Sequence, residues 1–512
     1  MKKLMYISIM AIVAGFGCKK GFLSELQNNP NNPTTNAATV QLVLPGTINN
    51  LVSQISGTGT NNYQLQAAWV GYWNYSGGYT FNTGAHEYII TNTGPVVWDA
   101  YYGILTNLNV IKQTAGADAS LSNYNDIADI LEAVCYKNLV DAYNDVPYSK
   151  ALKGAGNFYP TYDKGSDIYD SLVAKLDVAM ADISANISNA AKHTPGADDI
   201  MFQGDMTQWL KFANTEKLKL LVQQSAVSSK QAYITSEASK TNSYGYTTQD
   251  ALVNPGYSGT QQGALYGTFG ISATGGINGG YTYIRAGGFA LNFYKTTNDP
   301  RLGYFYSAKG SDPTTASYYV PTGNQSDYNA DYLGTQSLAL TQSSGIGPGL
   351  ITKAGASQPS VMMLAAESYF VQAEAAVRGY ITADAKSLYQ SGITASFEYL
   401  GVDDADNAAQ AYYSQSAITN VSWPANAADQ ISTIITQKWA ALNGISNMEA
   451  WNDWRRTGFP AVPATKDPNS IEKHMPYRLY YPIEEPNTNN AAYLAAGGDK
   501  IDPFVNKIFW MP

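Results

Sequence analysis

The stretch 362–400 limits the fold of this chain more than any other. It reads MMLAAESYFVQAEAAVRGY and then ITADAKSLYQSGITASFEYLG. In the first half Tyr369, Ala373, Ala376 and Val377 recur at helical spacing and predict one apolar side of a helix. Gly379-Tyr380 breaks that helix. In the second half Leu388, Ile393 and Phe397 predict the inward side of another. Alanines on the facing sides let the two approach closely, so the segment predicts a packed helical hairpin.

A pair of about 34 residues resembles a tetratricopeptide repeat. Residues 122–190 predict a second pair with a longer connection at 143–165. Its first helix carries Ile127, Leu131, Val134 and Leu139. Its second, 166–183, carries Ile168, Leu172, Leu176, Met180 and Ile183, with Ser166 as N-cap. Further stripes occur at 207–225 (Trp209, Phe212, Leu218, Leu221, Val222) and at 426–442 (Ile431, Ile435, Trp439, Leu442), the latter ended by Gly444. The predicted fold is mainly α, a superhelical scaffold of tetratricopeptide-like pairs with long irregular loops and a few short strands. The loop-rich stretches are 240–285 and 303–360. They lack a helical period, and insertions this long are usually functional or disordered. Their many aromatics argue against disorder.

The N-terminus carries an export signal. Lys2 and Lys3 precede an apolar run, Leu4 to Val13, and then the small residues Ala14, Gly15 and Gly17. The run is too short to span a membrane, which takes roughly 20 residues. It stops at Cys18, and Gly17-Cys18 resembles the end of a bacterial lipobox, which predicts cleavage of residues 1–17 and lipidation of Cys18. Each buried methylene would contribute roughly 0.8 kcal/mol, and two or more chains hold a protein on a bilayer. Residues 18–36 read as a polar, Asn- and Pro-rich tether and 37–512 as a single domain.

The formal charge of −9 becomes −11 once Lys2 and Lys3 leave with the signal. Such an acidic chain is a poor partner for nucleic acid or for anionic lipid. With Cys18 lipidated, Cys135 has no disulfide partner, and its apolar helical setting predicts a buried thiol. Catalytic and metal-binding patterns are missing. His86, His193 and His474 are scattered, and no HExxH, zinc spacing, G-x-S-x-G or Gly-Lys dipeptide occurs. Asp327, Asn329 and Asp331 begin like a calcium loop, but Tyr332 and Leu338 stand where Gly and Glu are needed, so a solvated turn is expected. No cofactor or metal site is predicted. A glycosidase carboxylate pair needs no sequence proximity, and nothing singles one out.

Aromatics are the distinctive surplus, with 39 Tyr and 9 Trp. Residues 69–81 read WVGYWNYSGGYTF. Flat aromatic faces suit sugar rings, whose C–H groups meet the negative π-face. The ligand-binding candidates are Trp73, Tyr75, Tyr79 and Trp98, with Tyr266, Phe269, Tyr281 and Tyr283 from the second Gly-rich stretch. Against this, Trp69 and Trp73 at i and i+4 also read as a helix core stripe.

Six segments in order resemble the SusD/RagB family of Bacteroidetes outer-membrane lipoproteins. These are NNPNNPTT after Cys18; DAYNDVPYSKAL at 141–152 with YDKGSDIYDSLVAKLDVAM at 162–180; GDMTQWLKFANTEKLKLL at 204–221; ESYFVQAEAAVRGY at 367–380; EAWNDWRRTGFP at 449–460; and RLYYPIEEPNTNNAAY at 478–493. The resemblance implies a helical scaffold whose loops bind oligosaccharide, or peptide in some relatives, without catalysis. It implies a lipid-anchored, cell-surface protein of the outer membrane, seated as a lid on a SusC-like TonB-dependent transporter. Lys19-Lys20 stand where an acidic cluster would favour surface exposure, so both membrane faces stay open. A lipid-anchored glycosidase and a scaffold with a purely protein partner are the competing readings.

Overall fold

Each apolar stripe becomes a helix, and each helix finds its cover on a neighbour. The computed structural model describes residues 39–56, 61–80, 82–93, 97–240, 242–335 and 338–512. The predicted signal, Cys18 and the predicted tether lie outside these. The long helices are α1 (Val40–Ile55), α2 (Val97–Gly116), α3 (Ser122–Tyr143), α4 (Gly165–Asn186), α5 (Met206–Gln223), α6 (Ala365–Val377), α7 (Ala385–Leu400), α8 (Ala405–Tyr413), α9 (Ala427–Ala441) and α10 (Asn447–Thr457). They stack in chain order from α1 to α8. Then α9 packs on α6, α10 packs on α9, and α10 returns to a short helix at Asn61–Trp69. The pairs α3/α4 and α6/α7 are the predicted tetratricopeptide-like units. One contiguous core runs from Val40 to Trp510.

The α6/α7 pair closes through a large-on-small contact. A Cβ on Gly392 would lie 2.9 Å from the Phe370 ring, so the ring occupies the space that a side chain there would fill. Burying such a ring is worth roughly 1.5–3 kcal/mol. The sequence placed Tyr369, Ala376 and Val377 on the inward side of α6, but these are only half-buried. Phe370 and Ala373 are fully buried instead. The reason is that α5, α7 and α9 surround α6, so it buries more than one face.

Two helix starts also differ from expectation. Residues 360–363 are not helical; they form strand β4 (Ser360–Met363), paired antiparallel with β2 (Ala251–Val253). Helix α6 starts only after it, where the Ala365 N–H donates to the Asp250 carboxylate at 2.8 Å. Likewise Ser166 does not cap α4. Its hydroxyl donates to Asp167, and the helix begins one residue earlier, where the Gly165 N–H donates to Asp145 at 3.0 Å. In both cases a distant carboxylate satisfies an orphan donor of the first turn.

Buried charges join the layers. Glu449 of α10 lies 2.6 Å from Lys137 of α3 and 3.4 Å from Lys219 of α5. Lys219 also meets Glu367 of α6 at 2.7 Å. Arg456 of α10 pairs with Glu374 of α6 and with Asp453. Charges this deep are costly unless they are paired or fully hydrogen-bonded. Arg455 instead stacks on Trp451, 3.5 Å from its centroid, and donates to the Asp141 and Tyr477 carbonyls. The WNDWRR segment is thus structural. The C-terminal Trp510 indole donates to Asp141 at 2.9 Å, and the Tyr63 hydroxyl reaches the Gly444 carbonyl. Cys135 is free and fully buried, and burial pushes its thiol up.

Candidate functional site

The loop-rich stretches converge on a two-stranded ribbon. Strand β1 (Trp73–Tyr75) pairs antiparallel with β3 (Ile284–Ala286), with Trp73 opposite Ala286 and Tyr75 opposite Ile284. Arg285 of β3 is buried and, among the described residues, has no carboxylate partner; it donates to the Tyr281 and Ser343 carbonyls, at 2.9 Å each, and to the Ser343 hydroxyl. Desolvation lowers its pKa from the ordinary arginine value. This guanidinium fastens the 338–345 turn to the ribbon. On β1, the Asn74 amide donates to the Asp331 and Tyr332 carbonyls and so holds the preceding loop as well.

Beyond the ribbon the chain turns at Ser76–Thr80. Ser76 N–H donates to the Tyr283 carbonyl at 2.8 Å and Gly77 N–H to the Leu338 carbonyl at 2.7 Å. Gly78 has φ +91°, a conformation that disfavours any side chain. The turn presents Tyr79, 46% exposed, beside the half-buried Tyr283. Their ring centroids are 6.2 Å apart and the planes meet at 54°. The Tyr79 hydroxyl donates to Thr282 Oγ1 at 3.0 Å, and Thr282 in turn donates to the Gly279 carbonyl. The Tyr283 hydroxyl accepts from the buried Gln64 amide at 3.0 Å. Tyr79 therefore keeps acceptor capacity and Tyr283 keeps its proton to donate. Two oriented rings with complementary hydroxyls can meet a ligand that has a C–H face and alcohol groups, with little side-chain entropy left to lose.

The other predicted aromatics sit elsewhere. Trp73, 1% exposed, packs edge-on to Tyr63 and Phe269 beneath the ribbon; it lies on a strand, because the helix of Trp69 ends at that residue. Tyr75 is 6% exposed and stacks edge-on to His86. Tyr266, Phe269 and Tyr281 are buried, and the Tyr281 hydroxyl is engaged by Ser307 and the Ser311 carbonyl. Trp98 is buried among Tyr102, Tyr143 and Tyr481. Of the eight, only Tyr79 and Tyr283 face each other at the surface. Sequence reasoning passed over Gln64, far away in the chain with no local signal, and Phe158 and Tyr159, which are 71% and 66% exposed.

The histidines do not converge. His86 lies against Asn74 and Asp467, and burial lowers its pKa despite that carboxylate. His474 stacks on Tyr477 at 4.3 Å. Asp327 accepts from the Thr322 hydroxyl and Asn329 donates to the Gln342 carbonyl, so they point to different partners. Among the described residues no group of three or more His, Cys, Asp or Glu is placed to hold a metal ion, and no helix is long and apolar enough to cross a membrane.

The sequence pattern of a SusD-like family, described as starch-binding and associating with the outer membrane, matches residues 30–482. The chain belongs to this SusD-like family. Solved structures share its fold. One described as a chitin-binding protein is 25% identical, with a TM-score of 0.72 over 92% of this chain and 100% of that one. A SusD homolog from Bacteroides fragilis is 20% identical, with a TM-score of 0.74 over 92% and 99%. A chitin-binding SusD homolog from Flavobacterium johnsoniae is 22% identical, with a TM-score of 0.70 over 91% and 98%. No curated protein matches the chain. Among the described residues the quoted family motifs supply core and ion-pair residues such as Trp451, Arg456, Glu374 and Lys219, whereas Tyr79 and Tyr283 lie outside those motifs.

Proposed function

We propose that this SusD-like chain is a non-catalytic binding protein that captures oligosaccharide at the outer membrane, is anchored through lipid on Cys18, and delivers ligand to a SusC-like TonB-dependent transporter. The observation that carries the glycan reading is the exposed Tyr79–Tyr283 pair, whose rings and hydroxyls are oriented by Thr282 and Gln64. The family description supports the ligand class, and two fold neighbours described as chitin-binding make β-linked N-acetylglucosamine oligomers the first to try. Tyr79 and Tyr283 touch the sugar in this reading, and Trp73, Tyr75, Tyr266, Phe269 and Tyr281 pack the loops behind them, while Trp98 belongs to a separate aromatic cluster with Tyr102, Tyr143 and Tyr481.

The test is calorimetric titration of the purified chain with chitin, starch and other glucan oligomers. Binding is expected to at least one, weakened roughly five- to thirtyfold in Tyr79→Ala or Tyr283→Ala, as for a loss of about 1–2 kcal/mol. Binding of peptide and of no glycan would overturn the proposal. Release of shorter sugars from the same oligomers would replace it with a lipid-anchored glycosidase. Co-purification with the transporter from membranes tests the partner, and mass spectrometry of the N-terminal peptide tests the lipid.

A further inference from the structure

A second polar cleft lies on the helical-repeat side, away from the tyrosine pair. It encloses about 690 Å³ between the loop before β2, the first turn of α6 and one face of α7. Three tyrosines, Tyr369, Tyr399 and Tyr413, line it, with Gln390, Asp250 and Glu398. The lining contains no Lys, Arg or His. Asp250 spends one oxygen, Oδ1, on the Ala365 N–H that starts α6. Among the described residues its other oxygen and both oxygens of Glu398 make no hydrogen bond or ion pair, and the same holds for the three tyrosine hydroxyls. Burial raises Asp250 above its ordinary value; the Ala365 N–H opposes this and the Glu398 charge adds to it. Glu398 also acts on Tyr369, and Asp250 on Tyr399, so the groups face a common space.

We infer that this cleft is a second binding site, for a ligand bearing a protonated primary amine. Three carboxylate oxygens without protein donors and uncompensated negative charge call for a cation that donates hydrogen bonds. Tyrosine faces around them suit an ammonium in particular, through attraction to the ring quadrupole. A neutral sugar would leave the Glu398 charge acting on Asp250 unopposed, whereas an ammonium in the shared cleft offsets it. The two sources of this chemistry are an amino sugar and a lysine side chain of a peptide. The inference stands apart from the glycan site at Tyr79 and does not depend on it.

The full chain is titrated calorimetrically at about pH 6, where such amines are protonated. The probes are a glucosamine hexamer, its N-acetylated counterpart and tri-lysine. The expected result is binding of at least one amine probe, weakened roughly tenfold by Glu398→Gln. Glu398 is exposed, so this variant does not threaten the fold. Tyr79→Ala is expected to leave amine binding unchanged, and Glu398→Gln to leave any binding of the acetylated hexamer unchanged, so that failure of one site is separable from failure of the other. Binding of the glucosamine hexamer alone assigns an amino sugar, binding of tri-lysine alone assigns a basic peptide, and binding of both assigns the ammonium group itself. Absence of binding by both amine probes, or wild-type affinity in both Glu398→Gln and Asp250→Asn, overturns the inference.

Discussion

Replacing Asp126 by Asn should make this protein more stable at neutral pH, because its carboxyl is buried against a second acid. Asp126 of α3 is 4% exposed and faces Asp182 of α4. Burial first, and the Asp182 charge second, push its carboxyl up to about 8; Asp129 adds to this and Lys192 opposes it. In the unfolded chain the same carboxyl ionises near its ordinary value of 3.8. Between these two values the folded state keeps a proton that the unfolded state sheds, so stability falls as pH rises. At about 1.36 kcal/mol per pH unit, the loss by pH 7 amounts to roughly 4 kcal/mol. Asparagine keeps the shape and an N–H donor for Asp182 but has no proton to lose. Asp126→Asn is therefore expected to gain roughly 2–4 kcal/mol at pH 7 and close to nothing near pH 4. Urea unfolding at a series of pH values reads both chains, and the wild-type curve should descend toward pH 8 more steeply than that of the variant. A variant less stable than wild type at pH 7, or two curves of the same slope, would refute the reasoning.

Three further expectations follow from other parts of the molecule. Glu374→Ala leaves buried Arg456 with Asp453 as its one described carboxylate partner beside the Ser225 hydroxyl and should cost about 3–5 kcal/mol in urea unfolding. Burial alone would raise the Glu374 carboxyl, but Arg456 and Arg378 outweigh it and hold it at about 2, so its contribution is full above its unfolded value of 4.5 and should vanish as pH falls through about 2. Gly287→Ala would set a Cβ 2.4 Å from the Gly71 carbonyl beside β1 and should lower stability by about 1–3 kcal/mol, measurable as a drop in melting temperature. Gln64→Ala frees the Tyr283 hydroxyl and should weaken glycan binding by about 0.5–1.5 kcal/mol, less than loss of the ring itself; unchanged affinity would remove Gln64 as a positioning residue.

What the sequence could disclose divides by distance. The bounds of α3, α5 and α9 were legible to within a residue or two, because apolar spacing is local and each of these helices obeys it. The start of α6 was not, because its cap, Asp250, stands far back in the chain and strand β4 forms only against β2. Trp69 and Trp73 share helical spacing, yet Trp73 is drawn into a strand by a partner beyond residue 280. The aromatics of the Gly-rich stretches mislead for a related reason. Loops usually run on the surface, but here they are long enough to fold over one another and make a core of Tyr266, Phe269 and Tyr281. Tyr79 and Tyr283 were visible as single residues, and their pairing required the ribbon to bring two remote turns together.

The return of α10 to the helix at Asn61–Trp69, with Trp510 on Asp141, sets an order of events. The segments made first cannot finish their contacts until those made last arrive. Loops of this span delay the gain in contact energy behind the cost of closure. The chain should gather as one late cooperative step, and a truncation that removes Trp510 should lower the stability of α3, which begins the array's first repeat pair, as well as that of the C-terminal turn it belongs to.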